Sequence, residues 1–181
     1  MSKLIEKKIS SQTVYKGNFL DVKKDNVVLP NGKNSTREWI NHPGAVVIVP
    51  ILSNGKIALI RQFRYAMGSE FIELPAGKID KGETPDECAI RELEEEIGFK
   101  TKNLNFIAMI HPAIGFANEN MSLYLATDLV QTNINRDSDE FLELMPTSLE
   151  HALDLVWSNK ITDVKTIIGI LWYQKIYQER K

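Results

Sequence analysis

The chain has 181 residues, 43% of them hydrophobic, with 22 Lys+Arg against 24 Asp+Glu and a formal net charge of −2. That length supports one good core with a small appended subdomain, and the charge offers no basic footprint for nucleic acid. The single cysteine excludes an intrachain disulfide, and it fits a reducing, cytoplasmic compartment.

The first residues, Met1-Ser-Lys-Leu-Ile-Glu-Lys-Lys, lack the apolar stretch of a signal peptide. Residues 1–43 read as a β-rich subdomain. Within it, residues 19–29 partly alternate, Pro30-Asn31-Gly32 signals a turn, and Ser35 to Asn41 forms a return strand. So small a sheet cannot bury enough by itself and must pack on something. Pro43-Gly44 marks the boundary, and residues 44–181 make the main domain.

That domain opens with the apolar run Ala45 to Leu52, too short for a membrane span and interrupted by Pro50. A buried strand is expected there, then a turn at Asn54-Gly55 and a strand from Ile57 to Arg64. A short strand near Phe71 to Leu74 leads into a glycine turn at Pro75-Ala76-Gly77. Next comes a helix. Thr84 suits its N-cap, Pro85 its N1 position and Glu87 its N3 position, which together make a capping box. Ala89, Ile90, Leu93 and Ile97 form its apolar stripe, and Gly98 suits the left-handed stop.

Strands are expected near Leu104 to Ile110 and Met121 to Ala126, a polar loop over 131–139, and a strand from Phe141 to Leu144. Ser148 or Thr147 should cap a helix to about Trp157, and Asp163 should open another to about Gln178. Leu153, Val156, Trp157, Ile167, Ile170, Leu171 and Trp172 read as core packing and not as a cofactor box. His42, His111 and His151 are scattered without metal-ligand spacing. The order of elements gives the α/β class, with strands sandwiched between helices as α/β/α around a mixed sheet.

The chemistry lies in the helix after Gly77. Glu92, Glu95 and Glu96 stand at i, i+3 and i+4 and so share one face. Carboxylates that close repel, and a hard divalent cation relieves the repulsion through oxygen ligands. Such a cation can polarise a phosphoryl oxygen and activate water. Arg91 lies among the glutamates, where charge-assisted hydrogen bonds would hold them. Cys88, on the same helix, reads as a small filler and not as a nucleophile.

Gly77, Glu83, Arg91, Glu92, Leu93, Glu95, Glu96, Gly98 and Phe99 fill every specified position of the pattern G-x5-E-x7-R-E-U-x-E-E-x-G-U, with U a bulky apolar residue. The chain thus resembles the Nudix hydrolases. Further segments are most similar to the branch that cleaves ADP-ribose and nucleoside diphosphate sugars: Arg61 to Tyr65, Glu73 to Gly77, Pro112 to Glu119, Asp139-Glu140-Phe141 and Lys160 to Asp163. One departure stands out. The branch's Ser-Pro-Gly-Phe turn reads Ala113-Ile114-Gly115-Phe116 here, losing a hydroxyl and a rigid proline near the distal sugar.

The resemblance implies a Nudix-type sandwich with a small N-terminal β subdomain that exchanges across a homodimer. It implies Mg²⁺, with Mn²⁺ as an alternative. The metal would be held by the Ala76 carbonyl, Glu92 and Glu96, with Glu95 and Glu140 contributing. Glu140 matches the residue that acts on the attacking water, with Glu95 and Glu96 in the catalytic cluster. Arg37 and Arg64 match contacts to the pyrophosphate or terminal ribose, and Glu38 and Glu73 match positions that support those arginines or meet the sugar. Phe19 and Trp39 match aromatics that stack the base, and Glu119 a loop residue approaching substrate. The implied reaction gives a nucleoside monophosphate and a sugar phosphate. Two rival functions are a non-catalytic Nudix-like nucleotide-sugar sensor and a housecleaning hydrolase of nucleoside triphosphates or RNA caps.

Overall fold

The computed structural model describes residues 3–132 and 141–179. It divides into two compact units, Met1–Pro43 with His111–Asn120, and Gly44–Ile110 with Met121–Lys181.

The first unit holds a three-stranded antiparallel sheet, β1 (Lys7–Lys16), β2 (Asp21–Val28) and β3 (Asn34–Ile40), in that order. The expected turn carries Gly32 at φ +81°, and its N–H donates to the Leu29 carbonyl at 2.9 Å. β2 is the central strand. It presents Asp21, Asp25 and Val27 to a buried face, whereas all ten residues of β1 are exposed. Residues 111–120 belong to this unit because β3 reaches them: Ile40 N–H donates to the Phe116 carbonyl at 2.8 Å and Ile40 bridges Ala117. The sequence shows neither this association nor the strand β1, whose residues do not alternate.

The second unit has two sheets. One orders β10 (Leu142–Thr147), β5 (Ile57–Arg64) and β6 (Ser69–Glu73), all antiparallel. The other orders β7 (Ala76–Lys78), β4 (Ala45–Pro50), β9 (Met121–Gln131) and β8 (Phe99–Ile110). It is mixed, because β4 and β9 run parallel while the other pairs are antiparallel. A 3₁₀ turn at Tyr65–Met67, absent from the sequence reading, joins β5 to β6 and ends at Gly68 in the left-handed region.

β4 shows why the unit has three layers. All six of its residues are buried, as expected for a strand covered on both faces. Its side chains alternate between two apolar clusters. Val46 and Ile48 join Cys88, Ala89, Leu93 and Ile97 of helix α1 (Pro85–Ile97). Ala45, Val47 and Val49 join Ala152 and Val156 of α2 (Leu149–Trp157) and Ile170 and Tyr173 of α3 (Val164–Glu179). The period of two in a strand sends alternate residues to opposite helical layers. An α/β/α sandwich with a mixed sheet follows, as the order of elements implied. α3 approaches closely because Gly169 lacks a side chain: a Cβ there would lie 2.3 Å from Leu74 Cδ1.

Local signals hold where they were legible. Ser148 caps α2, its Oγ accepting from His151 N–H at 3.2 Å. Asp163 opens α3, its Oδ2 accepting from Thr166 N–H at 3.0 Å. Four expectations need correction. Ile90, read as part of the apolar stripe of α1, is exposed, and Cys88 is buried on that helix instead. Gly77 lies within strand β7, paired with Val46, and the turn falls later at Gly82, φ +91°. β9 runs on to Gln131, because pairing with β8 extends the ladder through Phe99; the rest of the expected loop, 133–139, lies outside the described residues. Finally, the late aromatics are not all core. Val156 and Ile170 are buried, but Trp157 is 67% exposed and Trp172 is also exposed.

Candidate active site

The site grows from helix α1. Its capping box is complete: Thr84 Oγ1 accepts from Glu87 N–H at 3.3 Å, and Glu87 Oε2 accepts from Thr84 N–H at 2.8 Å. Gly98 closes the helix at φ 71°, ψ 38°. The helix start and stop are thus set locally, and its apolar stripe fixes its rotation on the sheet. Glu92 and Glu96 flank that stripe on the same buried side of the helix and turn toward strand β7.

Both carboxylates are buried, Glu92 at 7% and Glu96 at 3% exposure. Glu96 Oε2 accepts from Ala76 N–H at 3.1 Å. Glu92 lies so close to Gly77 that a Cβ there would stand 1.7 Å from Oε1. Gly77 is therefore needed for the space it leaves, not for a positive φ. It forms a cradle in which a carboxylate rests against backbone.

Arg91 gathers the remaining acids. Its Nε and Nη2 donate to the two oxygens of Glu83 at 2.8 and 3.0 Å. Its Nη1 donates to Glu92 at 2.7 Å and Glu95 at 2.8 Å, and Nη2 also reaches the Lys78 carbonyl at 3.2 Å. This is the holding role that the sequence assigned to it. Arg91 keeps the Glu83 carboxyl at about 2, and Glu83 foremost holds Arg91 charged beyond its ordinary range. Cys88 is packed beneath. Its Sγ lies 3.5 Å from the Lys78 carbonyl, and burial pushes the thiol up to about 12. A thiol so placed is a filler, not a nucleophile.

The donor set suits a hard divalent cation: clustered carboxylate oxygens beside the backbone of a strand that glycine opens. Among the described residues no three His, Cys, Asp or Glu side chains already form a metal cage. Arg91 explains this, since its guanidinium sits among Glu83, Glu92 and Glu95 as their common cation.

A second cluster in the same unit joins β5, β6 and α3. Arg64 grips Glu73 through Nε and Nη2, both at 2.7 Å. Glu73 is only 2% exposed and also accepts from Lys165 Nζ. Lys165 reaches on to Asp163 Oδ2 at 2.8 Å. Burial alone would raise the Glu73 carboxyl, but the Arg64 and Lys165 cations outweigh it and hold the group below its usual range. Arg64 is itself held more firmly charged, chiefly by Glu73. The resemblance implied that Glu73 supports an arginine or meets the sugar, and here it pairs with Arg64. Lys165 was missed, because 92 residues separate it from Glu73.

The other sequence candidates lie in the first unit. Arg37 pairs with Glu6 at 2.5 Å, and Glu38 with Lys24 at 3.2 Å. Trp39 stands across from Lys23 in the β2–β3 register. Phe19 is exposed and meets the His42 ring edge-on at 6.5 Å between centroids. His42 Nε2 lies 3.8 Å from Glu119. The structure thus brings Phe19 and Glu119 to one histidine that sequence reasoning passed over. Arg37 and Glu38 neighbour each other in sequence but have separate ionic partners. Glu140 lies outside the described residues.

Comparison with known proteins matches the NUDIX domain to residues 41–164. The chain belongs to the Nudix family. Residues 6–40 match the nucleoside diphosphate sugar hydrolase N-terminal domain. The chain is 42% identical over 176 residues to an ADP-ribose pyrophosphatase of Bacillus subtilis, covering 96% of this chain and 95% of that protein. It is 37% identical over 177 residues to a methanol dehydrogenase activator of Bacillus methanolicus, covering 96% of each. Among solved structures, an ADP compounds hydrolase superposes with a TM-score of 0.89 at 25% identity, covering 99% of this chain and 98% of that one. Nudix enzymes use a divalent metal, in keeping with the oxygen-rich donor set. No helix among the described residues is long and apolar enough to cross a membrane.

Proposed function

We propose that this Nudix protein hydrolyses the pyrophosphate bond of ADP-ribose or a related nucleoside diphosphate sugar, releasing a nucleoside monophosphate and a sugar phosphate. One observation carries the proposal: a Nudix domain with a complete box is joined to the N-terminal domain of nucleoside diphosphate sugar hydrolases. The similarity to an ADP-ribose pyrophosphatase over 96% of the chain supports the same substrate class. Mg²⁺ is the proposed ion and Mn²⁺ the alternative, because the donors are hard oxygens.

Glu92, Glu96 and the Ala76 carbonyl would hold the metal, with Glu95 turning to it from Arg91. When bound, a divalent cation polarises phosphoryl oxygens and lowers the pKa of water. The chain's own residues do the rest. Gly77 lets Glu92 lie against the strand, Arg91 spaces the acids, and Arg64, fixed on Glu73, offers a guanidinium to the pyrophosphate or ribose. On its sequence match Glu140 is proposed to orient and deprotonate the attacking water, with Glu95 as the alternative.

Product formation should be screened over ADP-ribose, GDP-mannose, ADP-glucose, UDP-glucose, dinucleoside polyphosphates and nucleoside triphosphates, with Mg²⁺ and with EDTA. Hydrolysis of a nucleotide sugar that EDTA abolishes is expected. Binding without hydrolysis would make the protein a sensor, and preference for triphosphates a housecleaning enzyme.

A homodimer with shared sites, resident in the cytoplasm, completes the proposal. Strand β1 is fully exposed and carries Ile9, Val14 and Tyr15, an edge of the kind proteins normally cover. Asp25 Oδ1 is buried without a hydrogen-bond partner among the described residues, a cost that a second subunit can remove. Phe19 and Trp39 would stack the base, with Arg37, Glu38 and Glu119 around the substrate. Trp39→Ala should raise KM by roughly tenfold while kcat changes little, since stacking holds ground and transition states alike. Sedimentation should show a dimer at assay concentrations; a fully active monomer would refute the shared site.

A further inference from the structure

The buried cation Lys165 has no place in the chemistry described so far. It stands at the first turn of α3, its side chain 10% exposed, with two carboxylate partners, Glu73 and Asp163. Asp163 has other donors besides: Thr166 N–H at 3.0 Å and Thr166 Oγ1 at 2.6 Å. Thr166 Oγ1 in turn accepts from Leu74 N–H at 2.8 Å, which ties the start of α3 to the residue after Glu73. The Lys165 ammonium is thus fixed from both sides, and so is the carboxylate it meets.

Arg64 lies on the other side of that carboxylate, with its own side chain 44% exposed. A guanidinium paired one-to-one with a buried carboxylate has its charge largely cancelled. It attracts an anion poorly. With Lys165 in place two cations face two carboxylates, Glu73 and Asp163, and the cluster is balanced; without it a net negative charge would stand beside Arg64, the more open cation. We infer that Lys165 is a positioning residue: it neutralises and immobilises Glu73 from behind, so that Arg64 keeps both its orientation and its charge for an anionic substrate. This rests on the proposed role of Arg64 in nucleotide-sugar binding.

The direction of the Glu73 shift fits, since burial would favour a neutral acid and the two cations together keep it ionised. Removing Lys165 leaves Arg64 bound to a carboxylate that has no other cation. The effect should therefore fall on substrate binding and not on the chemical step.

The test compares Lys165→Met, Lys165→Arg, Arg64→Ala and the double variant Lys165→Met/Arg64→Ala. KM and kcat are measured on the nucleotide sugar that the wild type hydrolyses. The Arg64 Nε–H resonance is followed in ¹⁵N-labelled protein as a readout independent of activity. Lys165→Met should raise KM roughly tenfold with kcat within about threefold, and should shift or broaden the Arg64 signal. Lys165→Arg should restore KM to within about threefold of wild type. In the double variant, KM should match Arg64→Ala to within about twofold, because the lysine acts only through the arginine. If Lys165→Met does not fold, Lys165→Gln, neutral but still a donor, replaces it with the same expectations. An unchanged KM, or effects that multiply in the double variant, would overturn the inference. A wild type that hydrolyses no nucleotide sugar would overturn the proposed function instead. The Arg64 signal then decides the positioning role alone: an unaltered resonance in Lys165→Met would refute it.

Discussion

Glu96→Gln is expected to reduce kcat by at least roughly a hundredfold at saturating Mg²⁺, since charge stabilisation at such sites is worth several kcal/mol. The fold should be retained. Glutamine keeps an amide oxygen that can still accept from Ala76 N–H, the bond made at 3.1 Å by the native carboxylate. It also takes one anion out of a buried cluster, which lowers repulsion in the metal-free protein. Unaltered thermal unfolding with collapsed turnover would locate the defect in the chemistry. Wild-type turnover in this variant would remove Glu96 from the metal cluster.

Gly77→Ala should produce a smaller loss of turnover through a different cause. The backbone at Gly77 is ordinary extended strand paired with Val46, so alanine is conformationally acceptable. Its Cβ, however, would fall 1.7 Å from Glu92 Oε1 and 1.8 Å from Cδ. The carboxylate must leave the cradle. Turnover should fall at least about tenfold and the Mg²⁺ concentration for half-maximal activity should rise, while overpacking costs no more than about 1–3 kcal/mol of stability. A Mg²⁺ titration of activity alongside thermal unfolding checks both parts. An unchanged Mg²⁺ requirement would mean that Glu92 does not need its place against β7.

These two variants also mark what the sequence could and could not reveal. The helix that carries Glu92 and Glu96 was legible because its signals are local: cap, apolar stripe and glycine stop lie within fifteen residues, from Thr84 to Gly98. The double burial of β4 was legible in its unbroken apolar run. The role of Gly77 was misplaced, because glycine in a strand and glycine in a turn look alike in sequence. Only the contact with Glu92 tells them apart. Lys165, His42 and the allegiance of residues 111–120 were hidden for another reason. Each depends on a partner more than seventy positions away, and no periodicity encodes a pairing at that distance. Strand β1 went unread because every residue in it is exposed, which leaves no alternation to detect.

The bond between Ile40 and Phe116 has a consequence for how the protein comes into being. The N-terminal unit is discontinuous, assembled from the start of the chain and from a segment near its middle. On the ribosome its first three strands emerge early, but the piece that closes against β3 appears only after the first helix and β8 have been made. A loop of some seventy residues must then be closed, which is slow relative to local pairing. During that interval the edge of β3 is open to other chains. The cell therefore meets this unit first as an unfinished sheet, and a fragment ending at Pro43 would remain one.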